Sequence, residues 1–241
     1  MRKTFLLSLL LPLFLIACSG SKDAKEAGAD DATAAKADDQ ETIAALAHER
    51  QLAIDQTFVD AKANPDIPLA THVATIKTSL GDIEVELYGL DAPMTVKNFV
   101  GLAQRDYYNG ILFHRVVPGF VIQGGDPQTK DPALQASWGR GGTSIYGEKF
   151  KDELDKTTPS YKRGYVRGAL AMANSGPNTN GSQFFIMLKN SGLPKNYSIF
   201  GKVTKGIEVV DKIVANGDGA PPKNPIAMID VTATEIRAIP D

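Results

Sequence analysis

FHRVVPGFVIQGGD, residues 113–126, is the stretch on which the reading of the fold turns. Its apolar positions Val116, Val117, Phe120, Val121 and Ile122 are broken by Pro118-Gly119, a turn pair, so the spacing predicts two short strands bent about one corner. Arg115 and Gln123 stand among these apolar residues. A cation or an amide in such a run needs a partner, because burying either one unpaired is costly. Two explanations are open: a structural arginine whose planar fork binds backbone carbonyls, or a shallow apolar pocket with two donors on its rim.

A second stretch, MANSGPNTNGSQFFIM at residues 172–187, carries a Gly-Pro turn and an Asn-Gly turn, then Phe184 and Phe185 on opposite faces of an expected strand. Between the two lies GRGGTSIYGEKF, residues 139–150. Together the three strongly resemble the cyclophilin family of peptidyl-prolyl cis-trans isomerases, over roughly residues 69–241. The resemblance implies a mainly-β fold, a closed eight-stranded antiparallel β-barrel capped by two α-helices. Periodicity alone does not distinguish such a barrel from a sandwich.

Residues 1–17 open with Arg2 and Lys3 and continue in an almost unbroken apolar run from Phe5 to Ala17. The run is short for a bilayer span and reads as a signal peptide. Leu15-Ile16-Ala17-Cys18 resembles a bacterial lipobox, in which the cysteine is acylated and becomes the mature N-terminus. Cys18 is the only cysteine, so no disulfide supports the fold. Ser19 after it points to outer-membrane sorting, with the protein facing the periplasm. Residues 18–68 then form an acidic, Ala-rich tether, with eleven acidic residues against five basic ones. Ile43, Leu46, Ile54 and Phe58 recur at roughly helical spacing, predicting a helix over 41–63 that ends at Asn64-Pro65.

From residue 69 the sequence is strand-rich. His72–Thr78 and Asp82–Tyr88 alternate around Leu80-Gly81, a hairpin pattern. Asp91 is the expected N-cap of a helix that Pro93 opens, with Val96, Phe99, Val100 and Ala103 on its apolar face. Further strands are expected at 168–174, 183–188, 198–203 and 227–236, and a second helix at 206–215. Pro127–Trp138 reads as an exposed loop near the groove, longer than in compact family members, with the only tryptophan. The segment from 69 onward carries 19 basic and 17 acidic residues, with no basic stripe and no phosphate-loop lysine, so nucleic acid is not an expected partner. The histidines at 48, 72 and 114 have no ligand spacing, so neither a metal nor a cofactor is expected.

Rotation about an X-Pro bond meets a barrier of about 18–20 kcal/mol because the amide is conjugated. In the twisted transition state the prolyl nitrogen regains a lone pair, and a donor aimed at it favours that state over both ground states. The resemblance implies Arg115 as that donor, with Phe120 and Gln123 completing the catalytic set. It implies an apolar slot of Phe120, Val121, Phe185 and Leu193, with Gln123 on a substrate carbonyl. The main chain of Asn174 and the side chain of Gln183 hold the peptide, and Gly142, Ala173, Ser175 and Tyr197 lie on the walls. His114 is assigned packing or hydrogen bonding behind the site. Seen alone, Phe120, Val121 and Phe185 read as core, and only their coincidence with the family motif assigns them to the pocket.

The chain departs from the family pattern at Val121, where many members have Met, at Tyr197 for a common His, and at Gly192 for a Trp or Phe. The last weakens the cyclosporin binding the resemblance implies. Two readings follow: a monomeric, lipid-anchored isomerase acting on proline-containing exported proteins, or a non-catalytic, membrane-tethered module or chaperone that binds proline segments.

Overall fold

The computed structural model describes residues 66–236, together with Ala45 and His48. The chain divides into two units, residues 1–48 and 49–241. In the first, Ala45 and His48 are helical, as expected at two positions of the 41–63 helix. The rest of that helix, the signal peptide, Cys18 and most of the tether lie outside the described residues.

In the second unit the alternation of HVATIKT and GDIEVEL produces strands β1 (His72–Thr78) and β2 (Gly81–Leu87), paired from His72↔Leu87 to Thr78↔Gly81. Ala74, Ile76, Ile83, Val85 and Leu87 point inward and are at most 1 % exposed. The chain then forms β3 (Arg115–Val117), β4 (Val121–Gly124), β5 (Ala169–Met172), β6 (Phe184–Met187), β7 (Ile199–Lys205) and β8 (Asp230–Glu235). All eight join one antiparallel sheet in the order β3-β4-β6-β5-β7-β2-β1-β8. Pro118-Gly119 forms the corner between β3 and β4, as the sequence predicts.

The expectation of a closed barrel is modified: the end strands β3 and β8 make no ladder with each other. Irregular segments stand between them instead. Val116 and Gly219 exchange both backbone hydrogen bonds, Phe113 N–H donates to the Ile226 carbonyl, and Met228 N–H donates to that of Ile111. The result is an eight-stranded half-barrel whose edges are satisfied by loop backbone.

Helices α1 (Pro93–Ala103), α2 (Pro159–Arg163) and α3 (Ile207–Ala215) flank the sheet. The short α2 was not expected. Asp91 does not cap α1: its carboxylate accepts from Ser160 N–H at 2.7 Å, at the start of α2. The first turn of α1 is capped from far along the chain by Glu153, whose carboxylate accepts from the Met94 and Thr95 amides, both at 2.9 Å, and from the Thr95 hydroxyl at 2.7 Å. A carboxylate there satisfies donors the helix cannot and meets the positive end of its dipole. Phe99 of α1 anchors the inner core, with its ring centroid 5.5 Å from those of both Phe184 and Phe200.

The loop at 127–138 folds into two 3-10 turns, Pro127–Lys130 and Pro132–Ser137, and residues 130–136 are exposed, in line with the sequence expectation. Fully buried Asp126 holds both its ends. Its carboxylate accepts from Gln128 N–H at 2.9 Å on one side, and from Gly139 and Gly141 N–H at 2.5 and 3.2 Å on the other.

Candidate active site

Antiparallel pairing places opposed residues on the same face of a sheet. The register Arg115↔Gln123, Gln123↔Phe185 and Phe185↔Ala171 therefore sets these four in one row across β3, β4, β6 and β5. They lie on the outer face. The alternate row, Val116↔Ile122↔Ile186↔Leu170, is wholly buried in the inner core.

A second apolar cluster forms over the outer row, from Val121, Tyr165, Ala169, Ala171, Phe185, Met187 and Ile199, with Phe120, Ala173, Leu193 and Tyr197 packed partly exposed against it. Tyr197 meets Phe185 edge to face at 5.5 Å. Tyr165 holds Tyr197 in place, accepting from its N–H and donating to its carbonyl, both at 3.0 Å. Burial pushes the Tyr165 phenol up to about 12, so it stays a donor at neutral pH. Val121, 1 % exposed, is the floor of this patch, not its wall.

The polar rim is a chain of donors. Arg115 Nη1 donates to Gln123 Oε1 at 3.3 Å, and Gln123 Nε2 donates to Gln183 Oε1 at 3.0 Å. Gln183 Nε2 ends the chain on the carbonyls of Gly139 and Gly141, at 3.0 and 2.7 Å. Bonds in such a series polarise one another and fix each amide's orientation. Arg115 Cζ lies 5.7 Å from the Phe120 ring centroid, which sets the fork beside the apolar patch. A guanidinium has five donors and a primary amide two, so Arg115 and Gln123 retain N–H groups for a ligand after these bonds are made.

The remaining expected residues are placed less directly. The Asn174 side chain donates to the Asn196 carbonyl at 2.9 Å, so only its main chain is left for a peptide. Ser175 is exposed and its N–H donates to Thr179 Oγ1 at 2.8 Å. Gly142 backs the site: at φ +127° its Cβ would lie 2.9 Å from Ser182 Oγ. Gly192 has open space where a side chain would stand.

Three site residues were not anticipated from sequence. Tyr165 orients the aromatic wall, and Asp126 fixes the loop behind Gln183. Asp152 holds the 174–180 turn through Asn178 N–H and the Asn180 amide, both at 2.8 Å. Asp126 did carry a signal, an Asp before Pro127 at a turn. The other two act across the fold and carry none.

His114 is buried, and neither ring nitrogen makes a protein hydrogen bond of ordinary geometry, although Leu112 backbone and the Asp126 carboxylate are near enough to favour its cation. Burial outweighs them and holds its pKa below 6.5. Among the described residues no group of three or more His, Cys, Asp or Glu could hold a metal ion.

An eight-stranded antiparallel half-barrel with a guanidinium and two amides rimming an aromatic patch defines a protein that grips extended polypeptide beside an apolar side chain. Residues 73–233 match the model of the cyclophilin type peptidyl-prolyl cis-trans isomerase family, and the chain belongs to that family. It is a peptidyl-prolyl cis-trans isomerase. It is 49 % identical over 146 residues to peptidyl-prolyl cis-trans isomerase-like 1 of Aspergillus niger, covering 60 % of this chain and 82 % of that protein. With peptidyl-prolyl cis-trans isomerase-like 3 of Dictyostelium discoideum it shares 47 % over 161 residues, 66 % of this chain and 92 % of the relative. A crystal structure of a Cryptosporidium parvum cyclophilin type isomerase superposes with a TM-score of 0.59 at 36 % identity, over 69 % of this chain and 98 % of that one. The same Cryptosporidium protein has been crystallised in the presence of the dipeptide Ala-Pro.

Proposed function

We propose that Arg115 drives isomerisation by donating a hydrogen bond to the prolyl nitrogen as the X-Pro amide twists, while the proline ring rests on Phe120, Phe185 and Leu193. The observation that carries this reading is the Arg115–Gln123–Gln183 chain, which orients a charged donor beside the apolar patch before substrate arrives. Gln123 offers its second N–H to a substrate carbonyl, and the Asn174 main chain steadies the peptide beyond it. No bond to the protein forms or breaks, and rotation needs only a better partner for the pyramidal nitrogen than water supplies. The absence of an aromatic at Gly192 removes one wall that cyclosporin would lean on.

The cellular setting belongs to the same proposal. Cleavage before Cys18 and its acylation would anchor the chain in a bacterial outer membrane, and residues 18–68 would let the isomerase reach roughly 40 Å. What supports this is the Leu15–Cys18 pattern after a basic and apolar leader. The named relatives are eukaryotic isomerase-like proteins, so the leader finds no counterpart in their names.

The mechanism is tested by NMR exchange or protease-coupled turnover of an X-Pro peptide. Arg115→Ala should lower kcat/KM by about 10²–10³, the range for loss of one preorganised donor; a variant as fast as wild type would sink the mechanism. Mass spectrometry of the mature N-terminus tests the anchor, and an unacylated Cys18 would remove it.

A further inference from the structure

On the side of Arg115 away from Phe185, a cleft of about 500 Å³ opens between the 127–138 loop and Ala220-Pro221. Arg115 and Gln123 form the wall it shares with the groove. Its far walls are Ala136, Trp138 and Pro221, and His114 contributes to its lining. His114 is only 4 % exposed, yet both of its ring nitrogens lack a protein partner. A buried, unpartnered polar group at the edge of an open cleft is a standing request for a ligand atom.

We infer that this cleft is a specificity pocket for a tyrosine flanking the substrate proline. The inference rests on the proposed reading of Arg115 and Phe120 as the proline-binding end of the groove. The chemistry selects the occupant. Trp138, Ala136 and Pro221 offer flat or small apolar walls suited to a ring. A neutral imidazole presents one donor and one acceptor, and a hydroxyl answers either, whereas a carboxylate answers only the donor. The volume admits a phenol and the backbone that carries it. The loop that builds the far wall is the same segment that is long in this chain, so selectivity is added beside the groove without altering the donors.

Trp138 is the only tryptophan, so its fluorescence reports on the cleft alone. The full chain is titrated with short peptides carrying Tyr directly before or directly after proline, and with their Ala and Glu counterparts. One Tyr series should perturb Trp138 and bind about tenfold more tightly than its Ala counterpart. In Trp138→Ala, calorimetry should find that preference reduced to about twofold or less, with Ala-peptide affinity unchanged. Peptide binding with no Trp138 response, a Glu peptide that binds more tightly than Tyr, or an undiminished preference in Trp138→Ala would each overturn the inference. Turnover without a Trp138 response would overturn the pocket and leave the Arg115 mechanism standing. A Trp138 response with Arg115→Ala as active as wild type would do the reverse.

Discussion

Phe184 and Phe185 are consecutive in β6 and lead into two different chemistries. Phe184 faces the inner core, wholly buried and edge to face with both Phe99 and Tyr108. Phe185 faces outward, where its cover is a few side chains from loops, chiefly Tyr165 and Tyr197, and where Gln123 sits opposite in register. Both faces arise from the same alternation in the same strands. The difference lies in what closes them: a helix with a row of rings inside, and a partial lid with donors at its rim outside. A sheet face becomes a site when its covering stops short and polar groups stand at the margin.

Changing the inner face should produce the largest effect on stability. Phe184→Ala should lower unfolding free energy by about 3–5 kcal/mol, read by urea denaturation, because the ring's neighbours are themselves locked and leave a cavity. A loss below about 1 kcal/mol would show that the inner face collapses easily and would blur the contrast. On the outer face the mirror result is expected. Arg115→Ala should leave the urea midpoint nearly unmoved, a shift within about 0.5 kcal/mol, while turnover falls as given above. Parallel loss of stability and turnover would make Arg115 a structural arginine after all.

Smaller effects sharpen the comparison further. Glu153→Ala removes the remote cap of α1 and should cost about 1 kcal/mol, with little change in turnover, since it touches the inner-core helix and none of the rim. The smallest effect concerns pH. Burial keeps the imidazoles of His114 and His72 below the usual 6.5. Above that value both folded and unfolded chains hold neutral rings; as pH falls through it, the unfolded chain takes up protons the folded one resists, and stability declines. Melting curves between pH 7.5 and 5 should show this decline, reduced in His114→Gln. An identical slope in the variant would assign the loss to other groups.

Much of the outer face could be read before any coordinates. The β1–β2 hairpin, the Pro118-Gly119 corner and the alternation through Phe184-Phe185 follow from local pattern, because side-chain period and turn chemistry are properties of neighbouring residues. The site residues themselves came through family resemblance, since Phe185 and Val121 look like core by pattern alone, and Val121 is indeed floor. What pattern could not supply is pairing at a distance. Asp91 reads locally as a cap and instead serves Ser160, while Glu153 caps α1 from 59 positions away. The row Arg115–Gln123–Phe185–Ala171 needs the register of four strands, and Tyr165 and Asp152 work wholly through such long-range contacts.

The carboxylate of Asp126 has a consequence for how this molecule can change over generations. A segment with both feet on one buried anchor is mechanically insulated from the strands, because what happens between the feet does not propagate past them. Residues 127–138 can therefore be lengthened, shortened or rewritten as an interchangeable module. New preferences for neighbouring residues can then be tried out while the ancestral reaction goes on undisturbed.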